Sequence, residues 1–543
     1  MLVFEITIAL LLAGAGLAAL SRRIKTPYPA LVALAGAGLA LIPRAPTLVL
    51  DPELALTLFV APVLLDAAFD ASPRDLRANW RSVVGLAIGA VVATIAAVAV
   101  VLRLLVPDMS WAAAIALGAI VAPPDAAAAT AVLSQLRPPY RLLVILQGES
   151  LFNDASALLV YRLAAAAAVA GTLSPGRAIP VLFVVTVGSV VLGLVLSRVV
   201  IRMNARIQDV ATAVVVQFGG TFAVWMLAER LHLSGILTVV VFAMATARRA
   251  GGLISARVRL PSYAVWDFAV FTLNVLAFIL VGFQLKGILG RIDSRTLLDF
   301  IRIAAWVCLT TMVVRMLYVT GTAALRRWGR RVRSRGAARD GDTVGVSKRS
   351  SIIVGWCGMR GIVTLAAALA LPTAGPDGPG FPHRDLALFT AFAVVLGTLV
   401  VQGVTLRPLL ALLRLEDDGS VEREVRLARV ETLRASLEAT SGQPAEEMTW
   451  LLRRRYEVML LRAEEEEVSG GQVPKADTSG ARHASEVDGA IVRTVTSAGR
   501  KRLLALRSSG TIGDAAFQRI EQELDVEELE LQHLVPDSTA GTS

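Results

Sequence analysis

The sequence predicts an all-α polytopic membrane protein with about thirteen transmembrane helices, inverted repeats and a helical tail. Of its 543 residues, 55% are hydrophobic and 18% are charged, and the mean hydropathy is +0.63. Hydrophobic stretches fill residues 1–412, whereas residues 413–543 are rich in charge. Two of the hydrophobic stretches are interrupted, one by prolines and one by glycines with an arginine. This pattern is typical of proteins that cross the bilayer many times.

The rest of the composition argues against other classes of protein. Cys308 and Cys357 lie in hydrophobic stretches, without metal-ligand spacing or a disulfide framework. The net charge of +10 comes from basic residues beside hydrophobic helices, which membrane topology explains better than nucleic-acid binding. The first hydrophobic stretch has no basic region before it, so it predicts a transmembrane helix rather than a cleaved signal. We therefore expect no cofactor and no nucleic-acid partner.

Thirteen spans follow from the length of about 20 apolar residues that a helix needs to cross the bilayer. They lie near residues 3–20, 28–43, 53–71, 82–106, 111–134, 144–170, 178–201, 210–228, 233–248, 264–286, 298–321, 351–372 and 385–411. Basic residues concentrate at every second junction, beginning after the first span. By the positive-inside rule, this alternation predicts a multi-pass protein of the cell membrane with its N-terminus outside and its C-terminus in the cytoplasm.

One cytoplasmic loop, at 323–350, holds nine basic and two acidic residues. We favour a simple topology anchor, and the alternative is a contact with anionic lipid headgroups or with the acidic tail.

The sixth span carries four polar side chains in the run Gly148–Asp154. Ser150 and Asp154 are four residues apart, as are Glu149 and Asn153, so two adjacent helix faces each carry a polar pair. Carboxylates at membrane depth are costly and usually functional. Such an oxygen-rich cluster suits a hard cation or the proton that displaces it. The alternative is a buried carboxylate held by a structural salt bridge.

The two interrupted spans are the fifth and the twelfth. In the fifth, Pro123 and Pro124 remove backbone donors and block helical geometry, and Asp125 opens a second half-helix at the positive end of its dipole. In the twelfth, Gly355–Leu365 contains three glycines and an arginine. Because spans seven apart cross in opposite directions, the pair predicts an inverted-repeat transporter with a midplane site. The alternative for the fifth span is a proline kink.

Two further charges lie inside predicted spans. Arg360 needs an anion because an unpaired guanidinium in lipid is very costly, and Glu149 is the natural candidate. That structural ion pair would leave Asp154 free to titrate. Asp66, in the third span, either marks the ion entrance or caps the helix near Arg74, and the sequence favours neither interpretation.

Together these motifs resemble those of the sodium/proton antiporters of the NhaP/NHE type. The resemblance covers residues 1–412 and includes a helix with the pattern Asn-x-x-x-Phe-x-x-x-Gly at 274–282 and the run Gln402–Leu409. The family implies a homodimer in which a mobile part, near 82–170 and 298–411, moves against a dimerisation part near 1–71 and 178–286.

The resemblance also implies a role for each candidate residue. Asp154 would bind the cation or the proton, Asn153 would orient Asp154, and Glu149 would pair with Arg360. The remaining ligands of a Na⁺ site at Asp154, Asp125 and Ser150 would include the backbone carbonyl of Pro124, and Asp66 stands where the family has a glutamate. The chain departs from the family in having Pro-Asp-Ala instead of Thr-Asp-Pro at 124–126, which puts the ion selectivity in question.

Exchange follows if a proton and a cation compete for one carboxylate. A mobile part loaded with one proton or one monovalent cation carries equal charge, so we expect electroneutral one-for-one exchange of Na⁺ for H⁺ that serves pH and sodium homeostasis. Oxygen ligands also admit Li⁺ or K⁺, and a K⁺/H⁺ antiporter is the alternative.

Residues 413–543 are predicted to form cytoplasmic helices at 422–438, 450–467 and 491–531 with a Ser/Gly-rich gap at 468–485. The tail is regulatory or dimer-stabilising, or else a solvated amphipathic helix pair.

Functions of other classes fit the sequence less well. An ion channel would need a selectivity-filter run, which is not visible. An intramembrane aspartyl enzyme is disfavoured by the Pro-Pro-Asp and Asn-Asp contexts and by Arg360, so we expect no enzymatic activity. An ion or pH sensor that signals through the tail is the remaining alternative.

Overall fold

The computed structural model describes residues 2–24, 28–40, 54, 56–133, 138–170, 175–204, 206–207, 209–250, 255–290, 293–333, 347–373, 380–415, 417–441, 447–469 and 489–532. All regular structure within these ranges is helical. The prediction of an all-α fold is therefore confirmed.

Helices α1 to α16 cover the part of the chain that was predicted to cross the membrane. In chain order they are α1 (Leu2–Ile24), α2 (Tyr28–Ala40), α3 (Ala61–Asp70, preceded by a π-helical turn at Leu56–Val60), α4 (Pro73–Ala78), α5 (Trp80–Leu105), α6 (Trp111–Val121), α7 (Ala126–Leu133), α8 (Tyr140–Ala170), α9 (Pro175–Asn204), α10 (Val210–Arg230), α11 (Gly235–Ala250), α12 (Ala256–Leu289), α13 (Ser294–Arg333), α14 (Lys348–Trp356), α15 (Ile362–Leu369) and α16 (Arg384–Leu413).

Every predicted span coincides with one of these helices or with a pair of half-helices. Seven of the described helices are long and apolar enough to cross a membrane. The total of thirteen crossings stays a prediction. Helix α4 lies between the third and fourth predicted spans, where the sequence predicts no helix. Its start is defined by Ser72, whose side chain accepts a hydrogen bond from the backbone N–H of Asp75, and by Pro73 at the first helical position.

The helices pack in two groups. In the first, α2 packs on α1 and α12, and α11 packs on α3, α9 and α10. In the second, α8 packs on α5 and α6, α13 packs on α5, α14 and α16, and α15 packs on α6 and α16. The two groups meet where α16 packs on α2 and α12 and where α8 packs on α11. The division into a dimerisation part and a mobile part, like the relative motion of the two, stays a prediction.

Part of the basic cytoplasmic loop predicted at 323–350 is helical. Helix α13 continues through residues 323–333, so the first third of the predicted loop is helical. Strong helix formers such as arginine, alanine and leucine fill this stretch and extend the helix beyond its apolar part. Residues 334–346 lie outside the described residues.

The tail contains four helices in its described ranges, rather than the helix pair considered from the sequence. They are α17 (Ser420–Ser441), α18 (Glu447–Ser469), α19 (Gly489–Ser508) and α20 (Asp514–Gln532). Helix α17 packs on the other three, and two clusters of buried apolar side chains lie between them. Most of the predicted Ser/Gly-rich gap, 470–485, lies outside the described residues. Helix α20 also packs on α12, so the tail is attached to the membrane-spanning part.

Candidate cation and proton site

The two interrupted helices cross each other at their unwound segments. Helix α6 ends at Val121 and α7 begins at Ala126, while α14 ends at Trp356 and α15 begins at Ile362. The backbone N–H of Asp125 donates to the carbonyl of Met359 at 2.7 Å. The unwound segments therefore satisfy some of each other's backbone hydrogen-bonding groups, as non-helical backbone inside a membrane requires.

Glycine at two positions allows the interrupted helices to cross this closely. A Cβ on Gly361 would lie 1.7 Å from Oδ2 of Asp125 and 2.7 Å from its Cβ, and a Cβ on Gly358 would lie 2.5 Å from Cδ of Arg315. A side chain at either position would therefore force its neighbours to shift, because real Cβ atoms do not approach other atoms that closely. Gly361 leaves the space that Asp125 of the first interruption occupies, and Gly358 leaves the space that the buried Arg315 occupies.

Helix α8 brings its polar residues to the first interruption. Asn153, which is fully buried, donates through Nδ2 to the carbonyl of Pro124 at 2.9 Å. The hydroxyl of Ser150 accepts from the backbone N–H of Ala126 at 3.3 Å. The carboxylate of Asp154 is buried and lies close enough to Asp125 to interact with it electrostatically. The structure thus gathers five of the predicted site residues around the start of α7.

The site has free oxygen ligands. Among the described residues, Oδ1 of Asn153 is buried without a hydrogen-bond partner, and the side chain of the next residue, Asp154, is buried as well. A buried acceptor without a partner is costly unless something else satisfies it. Carboxylate, amide, hydroxyl and carbonyl oxygens are the ligands that hard cations prefer. The donor set therefore fits a monovalent or other hard cation.

The predicted ion pair between Glu149 and Arg360 is wrong. Glu149 pairs with Arg315 of α13, which donates to both oxygens of the carboxylate, through Nη2 at 2.9 Å and also through Nη1. Arg315 donates as well to the carbonyls of Val354 and Cys357, at 3.0 and 3.2 Å. Both members of the pair are almost fully buried. Helix packing, which places α13 beside α14, decides this partner.

Arg315 was missed although a signal was present. It is an isolated arginine in the middle of the eleventh predicted span, and charged residues at such positions usually have a buried partner. The argument that predicts a buried partner for Arg360 predicts one for Arg315 as well.

Arg360 connects the two interruptions instead of pairing with a carboxylate. Its Nε donates to the carbonyl of Val121 at 2.8 Å, and Nη1 donates to the carbonyl of Gly358. Its backbone N–H donates to the hydroxyl of Thr398 on α16 at 3.0 Å. The carbonyls at the end of a half-helix carry partial negative charge, which a cation stabilises. Arg360 thus stabilises the C-terminal end of α6 through its charge and its hydrogen bonds.

Asp66 lies in a separate cavity of about 120 Å³ between α3 and the helices α9 to α12. Its electrostatic neighbours there are Asp70 and Asp267. Two further polar atoms of the lining, Oδ1 of Asn204 and Oγ1 of Thr246, have no hydrogen-bond partner among the described residues. A cavity of this size and polarity accommodates several water molecules. The structure therefore groups Asp66 with other aspartates and does not join it to the contacts around α7.

Comparisons with known proteins agree with the geometry. The model of a family described as sodium/hydrogen exchanger, transmembrane, matches residues 7–412. The chain is 30% identical over 522 residues to an uncharacterised Na⁺/H⁺ exchanger of Mycobacterium tuberculosis, with 94% of this chain and 93% of the relative covered. It is 31% identical over 391 residues to the sodium, potassium, lithium and rubidium/H⁺ antiporter of Bacillus subtilis, with 70% of this chain and 57% of the relative covered.

A solved structure shows the same fold. The sodium proton antiporter MjNhaP1 from Methanocaldococcus jannaschii matches with a TM-score of 0.59 and 17% sequence identity, covering 76% of this chain and 99% of that chain. The family match spans most of the chain, and it includes both interrupted helices and the buried polar residues of α8. The chain therefore belongs to the sodium/hydrogen exchanger family.

Proposed function

We propose that the chain is a secondary antiporter that exchanges Na⁺ for H⁺ across the cell membrane by alternating access, in support of pH and sodium homeostasis. One observation carries the proposal: Asp154, Asp125, Ser150, Asn153 and the carbonyl of Pro124 converge where two interrupted helices cross. Inverted-repeat transporters bind their ions at such crossings. The names of the relatives support exchange of a monovalent cation for protons.

Competition at Asp154 would couple the two ions. The carboxylate binds either a proton or a cation, and the oxygens of Asn153, Ser150 and Pro124 stabilise only the cation. Loss of one ion must precede binding of the other. A mobile part that changes orientation only when it is loaded then exchanges one ion for the other.

A count of the charges at the crossing supports one-for-one exchange. Asp154, Asp125 and Glu149 contribute three negative charges, and Arg315 and Arg360 contribute two positive charges. The remaining charge of about −1 is neutralised equally by one Na⁺ or one H⁺, and an isolated buried charge is costly. We infer electroneutral exchange, in which the loaded site carries no net charge across the membrane.

Alternating access would move the group containing α5–α8 and α13–α16 against the group containing α1–α3 and α9–α12. Helix α9 presents large apolar side chains outward, including Phe183, Val187, Val191 and Val195. Such a face fits lipid or the second copy of a homodimer. The alternation of basic loops supports an outside N-terminus and a cytoplasmic tail. The cavity of Asp66 would then be an ion entrance on the cytoplasmic side.

The choice of cation has one alternative. The antiporter of Bacillus subtilis is named for sodium, potassium, lithium and rubidium, so K⁺/H⁺ exchange is the second candidate within antiport. A channel or a sensor that signals through the tail is the candidate of another class, since a docked tail would also transmit a signal.

The test is dye-reported proton movement in everted vesicles from antiporter-deficient cells, with Na⁺, Li⁺ and K⁺ added separately. We expect Na⁺ to release protons from the vesicles at a rate that Asp154→Asn lowers at least about a hundredfold. The reason is that an amide, unlike a carboxylate, does not take up and release a proton. The rate should be unchanged when the membrane potential is clamped at different values. Well-inserted wild type without any cation response would contradict antiport, and a voltage-dependent rate would contradict electroneutrality.

A further inference from the structure

Helices α5 and α13 meet at their predicted cytoplasmic ends, where two exposed arginines lie close together. Arg326 of α13 donates through Nη2 to the backbone carbonyl of Arg81 at 3.0 Å and through Nη1 to the hydroxyl of Ser82 at 3.2 Å. Both acceptors are neutral, and no carboxylate in the part of the chain that the structure describes pairs with Arg81 or Arg326. This junction therefore holds two positive charges without a counter-charge.

The end of α13 adds further positive charge to the junction. Five of the eight residues at 326–333 are arginines, and the helix ends at Arg333. Like charges that lie three or four residues apart on a helix repel each other. An anion bound at this end of α13 would therefore stabilise it.

Two exposed tryptophans flank the junction. Trp80 is the first residue of α5, and the guanidinium carbon of Arg81 lies 5.6 Å from the centroid of its ring. Trp328 follows Arg326 by two residues on α13, and both tryptophans are more than half exposed. Tryptophan is enriched at the level of the lipid headgroups, because its ring is apolar and its N–H is polar. The positive charge of the junction therefore lies at headgroup depth.

From the junction onward, α5 and α13 run antiparallel and in contact. Tyr318 donates to the carbonyl of Gly85 at 2.9 Å, whereas Arg326, eight residues later, donates to the carbonyl of Arg81, four residues earlier. A Cβ on Gly89 would meet the ring of Tyr318, and a Cβ on Gly85 would lie 3.4 Å from Nη2 of Arg326. A single contact line, through these two glycines and these two side chains, therefore joins the helices.

One side of this helix pair is apolar and exposed. Each residue turns an α-helix by about 100°, so in an antiparallel pair the residues just before the contact line lie on the same side of both helices. The exposed apolar residues on this side lie one position before the contact line or whole turns away from it: Val84, Ile88 and Val92 on α5, and Leu309, Val313, Leu317 and Leu325 on α13. We call these seven residues the α5–α13 face.

We propose that the α5–α13 face and its junction bind an anionic phospholipid of the cytoplasmic leaflet. The phosphate accepts hydrogen bonds from Arg81 and Arg326, and the acyl chains lie along the α5–α13 face. An arginine donates to a phosphate through two N–H groups at once, which makes it a strong ligand for such a headgroup. Both helices belong to the group that we assign to movement, so this lipid is a ligand of that group.

Two properties of the site favour a lipid over a soluble anion or an acidic peptide. Leu325 directly precedes Arg326, so the positive charge continues into the apolar face without a gap. A soluble phosphate would leave the apolar face uncovered, and an acidic peptide would have to enter the bilayer to cover it. At headgroup depth, each arginine contributes about fivefold to the affinity for an anionic lipid.

The test measures lipid binding by the purified full-length protein after its native lipids have been exchanged for detergent. Dioleoylphosphatidylglycerol is the anionic probe, and dioleoylphosphatidylcholine, with the same chains and no net charge, is its control. Native mass spectrometry gives the affinity, and thermal unfolding gives the stabilisation. We expect phosphatidylglycerol to bind more tightly and to raise the unfolding temperature, and about 500 mM choline chloride to weaken its binding.

Substitutions of the two arginines locate the headgroup. Arg81→Gln and Arg326→Gln should each lower the affinity for phosphatidylglycerol about fivefold, and the double variant about thirtyfold. Arg81→Lys combined with Arg326→Lys keeps both charges and should retain most of the affinity, which controls for damage to the fold. The matched control is Arg202→Gln, since Arg202 is another exposed arginine at a predicted cytoplasmic helix end and donates to the backbone carbonyl of Arg198. It should bind phosphatidylglycerol as the wild type does.

The outcomes that would overturn the proposal are distinct. Equal binding of the two lipids by the wild type, or unchanged binding in the double glutamine variant, would contradict it. An equal loss in Arg202→Gln would also contradict it, because the attraction would then belong to the whole basic surface. Stabilisation by inorganic phosphate to the same extent as by phosphatidylglycerol would indicate a site for a soluble anion instead. These measurements do not depend on cation-driven proton flux, so failure of the proposed antiport would leave them unaffected.

Discussion

The two interruptions at the centre of this molecule break their helices by different means. In the first, prolines remove backbone donors and prevent helical geometry, and the freed carbonyls together with Asp125 face the polar side of α8. In the second, glycines leave space and Arg360 supplies positive charge. The first interruption therefore contributes ligands, whereas the second contributes room and charge.

The two inverted repeats therefore each contain an interrupted helix, but the interruptions contribute different chemical groups. Each interruption is incomplete without the other, since Asp125 occupies the space above Gly361 and Arg360 holds the carbonyl end of α6. Substitutions in the two interruptions should accordingly fail in different ways, the first in ion binding and the second in packing and stability.

The largest expected effect comes from Gly361→Ala. The new methyl group would lie within 2.7 Å of Cβ of Asp125, so the crossing backbone segments must separate. Displacement of a binding group by about 1 Å lowers rates by about a hundredfold, and we expect at least this loss of proton flux. Gly321→Ala on α13 is the control, because its methyl group would meet nothing within 4 Å. Normal flux in Gly361→Ala would contradict the close crossing.

A double-mutant cycle tests which arginine is the partner of Glu149. Removal of one member of a buried pair leaves an uncompensated charge, which costs about 3–5 kcal/mol of unfolding free energy. We expect the coupling between Glu149→Gln and Arg315→Gln to be about 2 kcal/mol or more, measured by unfolding in denaturing detergent.

The matched cycle combines Glu149→Gln with Arg360→Gln. Its coupling should stay below about 1 kcal/mol, because Arg360 is held by backbone carbonyls rather than by the carboxylate. Equal coupling in both cycles would mean that the two arginines share the charge of Glu149.

The smallest expected effects come from two substitutions that distinguish an ion ligand from a residue that stabilises the fold around the site. Asn153→Ala removes an unpartnered oxygen of the site and the hydrogen bond to Pro124, and we expect about a tenfold lower flux at subsaturating Na⁺. Thr398→Val leaves the buried N–H of Arg360 without its acceptor, which should cost about 1–3 kcal/mol of stability. The reverse pattern, with Thr398→Val affecting Na⁺ affinity and Asn153→Ala affecting stability, would contradict the assigned division of roles.

Much of the fold was predictable from local pattern. Runs of about 20 apolar residues located the helices, because a backbone in lipid must satisfy its own hydrogen bonds. Pro123, Pro124 and the glycines of Gly355–Leu365 located the interruptions, since these residues act on the backbone within a few positions. The spacing of Ser150 and Asp154 placed both on one side of α8, and the structure brings them to α7.

Contacts between distant segments were less predictable. The partner of Glu149 is 166 residues away, and two buried arginines were available for it. The tail docks on Arg259 across 266 residues, through carboxylates that belong to a charged helix with an ordinary amphipathic pattern. Asp66 lies near Asp70 and Asp267 because α3 packs beside α11 and α12. The sequence of the third span alone does not predict this packing.

The sequence by itself determined most of the helical segments, where two helices break, and which oxygen-bearing side chains face one side of α8. These properties depend on residues within one or two helical turns, where periodicity and backbone chemistry act directly. Only the tertiary structure decided that Arg315 rather than Arg360 neutralises Glu149, and that α20 attaches the tail to α12. Charges find their partners through helix packing, and packing is a property of the whole chain.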